Sequence, residues 1–320
     1  MKVVSSLTEA AGVLAGRSCV LSIGNFDGLH LGHQRIIRTV VQRARQLELP
    51  AVILTFEPHP IQLLAPDKAP KRISTPEQKI RQIESLGVDL LFEVRFDLDF
   101  AAILPDEFVR SYLVEGLHVR CLCVGANFNF GHRQSGTVST LRQWARDFEL
   151  VEIAPVLFRD LPASSTRVRE FILNGDVSRA ARFLGRWFEI EGRIVSGAGR
   201  GRKLTVPTLN LSPANELLPK NGVYVSRISL DGGNFLDAVT NIGIRPTFNE
   251  SGLTIETFVL QSPGELDVHS ASLQFLHRIR DEKRFESPRE LGAQIQRDVR
   301  AASRFFQLME RCGHARAHTH

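Results

Sequence analysis

Five short, mainly apolar runs alternate with helix-period segments in the first half of the chain, and this alternation limits the fold more than any other feature. The runs are CVLSI (Cys19 to Ile23), AVILTF (Ala51 to Phe56), DLLFEV (Asp89 to Val94), RCLCVG (Arg120 to Gly125) and VEIAPV (Val151 to Val156). They lack a clear apolar/polar alternation, as parallel strands covered on both faces do. In HQRIIRTVVQRARQLEL, the residues Ile36, Ile37, Val40, Val41, Ala44 and Leu47 form one apolar stripe at helical spacing. Arg35, Arg38, Gln42, Arg43 and Gln46 fall opposite. Thr75-Pro76-Glu77-Gln78 reads as a capping box with proline at the first helical position. Together these patterns predict a doubly wound α/β domain on a parallel sheet.

That half closes with the helical segment SSTRVREFILNGDVSRAARFLG, broken near Asn174-Gly175. The texture then changes at Arg186 to Phe188. FEIEGRIVSG, KLTVPTLNL, GVYVSRISL, FLDAVTNIG, TIETFVL and SLQFLHRIR are short strands separated by Gly, Pro, Asn and Asp, as in a small antiparallel β-barrel. One helix follows, opened by Ser287-Pro288-Arg289-Glu290 and striped with Leu291, Ile295, Val299, Ala302 and Phe306. The expected organisation is an α/β domain over 1–186, a barrel with its C-terminal helix over 187–308, and a polar tail over 309–320.

With 43% hydrophobic and 23% charged residues, the chain reads as a soluble globular protein. It has no apolar run of the roughly 18 residues that a membrane helix needs. Glu9 and Gly12 interrupt what would be the apolar part of a signal peptide, so a cytoplasmic setting without a membrane partner is expected. Cys121 and Cys123 share one face of an apolar strand at a spacing that fits neither a redox nor a zinc motif, and read as small buried groups. A net charge of +5 is modest for a chain this long and equally suits an enzyme with polyphosphate substrates, and no block of basic residues marks a nucleic-acid tail.

The chemistry-bearing motif is GNFDGLHLGH, between the first apolar run and the first helix. Gly24, Gly28 and Gly32 allow close backbone approach to a ligand. The turn leaves the C-terminal end of a strand, where open α/β sheets bind ligands. His30 and His33, three apart, share a face at a helix start whose free N–H groups and dipole favour phosphate. Such a site handles a nucleoside triphosphate by positioning and charge stabilisation, without a protein nucleophile. This motif alone leaves the second substrate open.

HxGH in this setting resembles the nucleotidyltransferase superfamily, and Ser164-Ser165-Thr166-Arg167-Val168-Arg169 resembles its ISSTxxR segment. With Thr55-Phe56-Glu57-Pro58-His59-Pro60 and Gly125-Ala126-Asn127-Phe128-Asn129-Phe130-Gly131, the first half resembles the FAD synthetase module of bacterial bifunctional riboflavin kinase/FAD synthetases. The resemblance implies attack of the FMN phosphate on ATP, giving FAD and pyrophosphate with Mg²⁺. It implies that His30 and His33 are catalytic. Gly24, Phe26, Asp27, Gly28, His59, Asn127, Ser164, Ser165, Thr166 and Arg169 would bind substrates. Many relatives carry Asp where Asn127 stands; a neutral amide hydrogen-bonds phosphate or ribose but brings no charge to a metal.

A second candidate is GAGRGRKLTVPTLN (Gly197 to Asn210), a glycine-rich basic loop that is neither a Walker A loop nor a dinucleotide fingerprint. Thr208 and Asn210, two apart in a strand, share a face and offer neutral oxygens to a hydrated Mg²⁺. The pattern GRGRxLxxPTxN, followed by Asn221 to Tyr224, NIGIRPTF (Asn241 to Phe248) and IET (Ile255 to Thr257), resembles the riboflavin kinase module. That resemblance implies Thr208 and Asn210 as Mg²⁺ ligands and Glu256 as base for the ribityl 5′-hydroxyl. Gly199, Gly201, Lys203 and Arg245 would bind substrate. The implied reactions are riboflavin to FMN, then FMN to FAD, both using ATP. Two alternatives stay open at this stage: a nucleotidyltransferase for another phosphate-bearing substrate, and a basic nucleic-acid-binding protein with an OB-like barrel.

Overall fold

The structure, a computed structural model, describes residues 1–195, 208–246, 251–260 and 268–311, without the side chains of 245, 246 and 251. By internal contacts the chain divides into residues 1–71 with 76–164, and residues 72–75 with 165–320.

The first unit is built on a parallel sheet of six strands: β1 (Lys2–Val4), β2 (Cys19–Ile23), β3 (Ala51–Glu57), β4 (Leu90–Arg95), β5 (Val119–Gly125) and β6 (Glu149–Ile153). Their order is β1-β4-β3-β2-β5-β6. The expected apolar runs become β2 to β6. The edge strand β1 was not expected, because three residues beside Leu90, Leu91 and Phe92 are too few to form a run. Helix α1 (Leu7–Leu14) starts on a capping box between Ser6 and Glu9. Helix α2 (Leu31–Gln46) buries Ile37, Val40 and Ala44 against the sheet, as its stripe predicts. Two further helices, α3 (Pro60–Leu64) and α4 (Pro76–Glu84), follow β3, and α4 begins at the expected proline. Cys121 and Cys123 are buried with Val20, Ile37 and Ile53, and Cys19 is buried too, its thiol pushed up to about 12 by desolvation.

Topology positions the motifs. From β2 the chain winds through β3 and β4 on one side, then returns to β5 on the other. The strand order therefore reverses at β2, where a crevice forms beyond the C-terminal ends of a parallel sheet. GNFDGLHLGH follows β2, TFEPHP closes β3, and GANFNFG follows β5. The three loops leave adjacent strands along one edge.

The second unit holds helices α5 (Ser165–Leu173) and α6 (Val177–Leu184), separated at Asn174-Gly175 as expected, and a closed antiparallel barrel. Its strands are β7 (Phe188–Val195), β8 (Thr208–Pro213), β9 (Gly222–Leu230), β10 (Leu236–Pro246), β11 (Ser251–Val259) and β12 (Ser270–Arg280). They are ordered β7-β8-β11-β10-β9-β12, and β12 pairs back to β7. The change of texture at Arg186 to Phe188 marks the first barrel strand, while the division of contacts falls after Ser164.

Helix α7 (Pro288–Arg311) packs Ala302 and Phe306 on Val223, Val225, Val239 and Leu276 of the barrel's outer surface. Only half of its expected capping box forms. Ser287 Oγ accepts from the Glu290 amide at 3.3 Å, but the Glu290 carboxylate accepts from Glu286 rather than from Ser287. Inside the apolar stripe sits a buried carboxylate, Asp298. It takes N–H bonds from Arg280 of β12 (2.8 to 3.2 Å) and from Gln294 (2.8 Å). Within the barrel, Ser226 Oγ, Thr240 Oγ1 and Thr257 Oγ1 form a buried hydroxyl chain across β9, β10 and β11, with steps of 2.7 and 3.0 Å.

Candidate active sites

In the first site, β2 ends at Ile23 and the chain turns through Phe26 in the left-handed region (φ 49) and a 3-10 turn, Asp27–Leu29. His30 then caps α2 with its own side chain. Its Nδ1 accepts the N–H groups of Gly32 (3.1 Å) and His33 (3.3 Å). Two of the helix N–H groups expected to face phosphate are thus occupied by an imidazole, which corrects the picture of an open helix end. The cap also sets the tautomer. A ring nitrogen that accepts carries no proton, so the proton of neutral His30 lies on Nε2, a donor at the end of α2.

The glycine between the histidines has a steric reason. A Cβ on Gly32 would lie 2.9 to 3.0 Å from the His30 ring. Likewise, a Cβ on Gly24 would lie 3.2 Å from the Phe26 ring. Phe26 meets His33 edge-on at 5.2 Å, and the two imidazoles stack at 3.7 Å. Burial and the neighbouring His30 hold the His33 pKa well below the ordinary histidine value. His33 Nδ1 is buried without a hydrogen-bond partner among the described residues. Asp27 and Gly28 are buried in the turn beside these rings.

TFEPHP is stitched to that turn. The Gly24 amide donates to Leu54 O at 3.1 Å, and buried Thr55 donates through Oγ1 to Asn25 O at 3.3 Å. His59 repeats the device of His30. It is the N-cap of α3, and its Nδ1 accepts the Ile61 amide at 3.3 Å, which places the proton of the neutral ring on Nε2. Asn127 is exposed in the turn after β5, and the Phe128 ring beside it stacks on Phe130 at 5.5 Å.

The ISSTxxR-like segment straddles the division of the chain. Ser164 ends the first unit; Ser165, Thr166 and Arg169 lie in the first two turns of α5. The preceding residue, Ala163, is held at 2.9 Å to Val156 O, and its own carbonyl borders the Gly32 position at 3.5 Å.

In the barrel, Asn210 of β8 lies directly opposite Glu256 of β11, and Thr208 opposite Phe258. Ile255, Thr257 and Leu211 face inward and are buried. Strand alternation therefore puts Thr208, Asn210 and Glu256 together on the outer face. On its other side Glu256 is opposite Asn241 of β10. Arg245 pairs with Gly252 through its backbone, and its side chain lies outside the described residues. Gly199, Gly201 and Lys203 lie outside them too.

Two family models match the chain, FAD synthetase over residues 14–167 and riboflavin kinase over residues 184–306. The bifunctional riboflavin kinase/FMN adenylyltransferase of Haemophilus influenzae is 35% identical over 308 residues, covering 96% of this chain and 99% of that protein. The chain belongs to this bifunctional family. Its Escherichia coli K12 relative of the same name is 36% identical, over 91% of this chain and 93% of its own. A solved Streptococcus pneumoniae structure, titled a macrolide-efflux protein, superposes with a TM-score of 0.84 at 27% identity, covering 94% of this chain and 98% of that one. Among the described residues of the present chain, no helix is long and apolar enough to cross a membrane.

The enzyme phosphorylates riboflavin to FMN with ATP and adenylylates FMN to FAD with release of pyrophosphate. The α/β unit carries the FAD synthetase match and the barrel the riboflavin kinase match. Sequence reasoning missed several contributors to these sites: Thr55 as a stitch between motif turns, the imidazole caps, and Asn241 beside Glu256. All three stand inside segments already singled out, but their roles depend on side-chain direction and strand register.

Proposed function

We propose that each reaction is carried by the residues that the motifs single out, and that the two sites work independently. The pairing of Asn210 with Glu256 on one outer face is the observation that carries the kinase assignment. Glu256 accepts the proton of the ribityl 5′-hydroxyl as that oxygen bonds to the γ-phosphorus of ATP and the bond to ADP breaks. Thr208 and Asn210 offer hard, neutral oxygen donors on the same face, a donor set that fits Mg²⁺ keeping several waters. Mg²⁺ held by these two residues would supply charge neutralisation to the phosphates.

For adenylylation, an FMN phosphate oxygen bonds to the α-phosphorus as the bond to the leaving pyrophosphate breaks. His30, locked as an Nε2–H donor, hydrogen-bonds the phosphate oxygens. His33 is held neutral beside it, so it adds a donor without a buried cation. His59, which caps α3 in the same sense, presents a third imidazole N–H from the turn after the adjacent strand. The His30 and His33 donors, preorganised in this way, act where charge accumulates in the transition state, whereas His59 binds the nucleotide. Gly24, Phe26, Asp27 and Gly28 shape the turn, and Asn127, Ser164, Ser165, Thr166 and Arg169 supply polar contacts. The use of ATP in both steps supports a cytoplasmic setting.

The test is product analysis of single-residue variants. Glu256→Gln abolishes FMN formation from riboflavin and leaves conversion of supplied FMN to FAD intact. A Glu256→Gln enzyme that still makes FMN at the wild-type rate removes the base assignment.

A further inference from the structure

A buried cation stands at the edge of the adenylylation site without a part in the steps above. Lys79 of α4 has a side chain only 8% exposed. Its Nζ is 3.2 Å from Glu93 Oε1 of β4 and 3.8 Å from Glu57 Oε2 at the end of β3. Lysine is rarely buried unless paired. Such pairs add little net stability over apolar packing, so stability alone is a weak reason for one. What distinguishes this one is its location. Glu57 is followed directly by Pro58 and His59, and His59 caps α3. The Glu57 carbonyl also accepts the Phe96 amide at 3.0 Å, which ties the ends of β3 and β4 by backbone as well. Helix α4 itself packs beside the Asp27–Leu29 turn of the HxGH motif. Lys79 thus joins the element that borders one motif turn to the carboxylate that begins the other.

We propose that Lys79 is a positioning residue for adenylyl transfer: by drawing Glu57 and Glu93 together it sets where the Glu57–Pro58–His59 turn holds the His59 Nε2–H relative to the nucleotide. The inference rests on the reading that His59 meets ATP. Lys79 touches no substrate and acts through Glu57. A long side chain ending in a compact charge suits a link to two carboxylates on adjacent strands, made here by charge attraction at 3.2 and 3.8 Å rather than by hydrogen bonds.

The experiment is a double-mutant cycle on FMN adenylylation at varied ATP, with Lys79→Met, Lys79→Arg, His59→Ala and the double variant Lys79→Met/His59→Ala. Misplacing a binding group without removing chemistry raises KM while kcat holds, and coupled residues are non-additive. Lys79→Met is therefore expected to raise KM for ATP about tenfold, Lys79→Arg to restore most of it, and the double variant to be no worse than His59→Ala alone. Riboflavin phosphorylation stays at the wild-type level throughout. Additive effects, or a lowered Tm with an unchanged KM for ATP, overturn the proposal and leave Lys79 a structural ion pair. A His59→Ala enzyme with normal KM for ATP overturns the underlying reading of His59 instead. Should Lys79→Met fail to fold, Glu57→Gln at the half-exposed end of the same pair is expected to show the same KM change and the same coupling to His59; a normal KM in that variant equally overturns the proposal.

Discussion

His30 lays its imidazole over Gly32, with Nδ1 3.1 Å from the Gly32 amide nitrogen and 3.3 Å from that of His33. The HxGH spacing is thereby a mechanical requirement as well as a chemical one. The first histidine needs a residue without Cβ two positions on, because any Cβ there would press on its ring at 2.9 Å. Gly32→Ala is predicted to unseat His30 and slow FMN adenylylation by about 10²-fold, the scale of losing one preorganised donor. Riboflavin phosphorylation by the same variant should match wild type. Steady-state rates of both reactions check this.

His33 gives a pH signature. The unfolded chain takes up a proton at this residue near pH 6.5. In the folded chain, burial and His30 keep the pKa well below that value. The unfolded state therefore binds more protons as the pH falls below about 6.5, and stability is lost in that direction. His33→Asn removes this component. Urea midpoints at about pH 7.5 and pH 5.5 should differ more in wild type than in the variant; equal differences contradict the assignment.

Asp298 predicts a large effect of one substitution outside both motifs. Its side chain is 6% exposed and Arg280 wraps it, so Asp298→Ala leaves the Arg280 guanidinium without its carboxylate in the interface between α7 and the barrel. The expected loss is about 3–5 kcal/mol. Because the Arg280→Ala/Asp298→Ala pair removes both charges, it should cost less than the sum of the single changes. Denaturant unfolding of the three variants measures this.

Asn210→Ala tests the metal assignment. With one oxygen ligand gone, the Mg²⁺ concentration for half-maximal riboflavin phosphorylation should rise about tenfold, equivalent to ~1.4 kcal/mol. The Mg²⁺ dependence of FMN adenylylation should not move. A kinase whose Mg²⁺ requirement is unchanged removes Asn210 from the ligand set.

The legible parts of this fold were those in which one residue type repeats at one period. The apolar runs became β2 to β6, and the stripe from Ile36 became the packed face of α2 as far as Ala44, while its last member, Leu47, lies past the helix and is exposed; burial on both sides of a sheet or on one side of a helix imposes those periods. β1 escaped because Lys2–Val4 is too short to show a period. Asp298 escaped because a carboxylate inside an apolar stripe gives no hint of the arginine, eighteen positions earlier in the chain, that neutralises it. At the sites, residue types were readable but directions were not. The histidines and Glu256 stood out by motif. The turning of His30 Nδ1 into its own helix, and the meeting of Asn210 with Glu256, depend on backbone geometry and strand register that no local pattern encodes.

The central claim is that two independent active sites share one chain, and mixing two disabled variants tests it most directly. Glu256→Gln alone should make neither FMN nor FAD from riboflavin, and His33→Ala alone should stop at FMN. Combined in one tube with riboflavin, ATP and Mg²⁺, they should form FAD, because FMN released by the second enzyme is a substrate for the first. If the mixture makes no FAD, and each variant proves defective in both half-reactions assayed separately, the account of separate sites is contradicted.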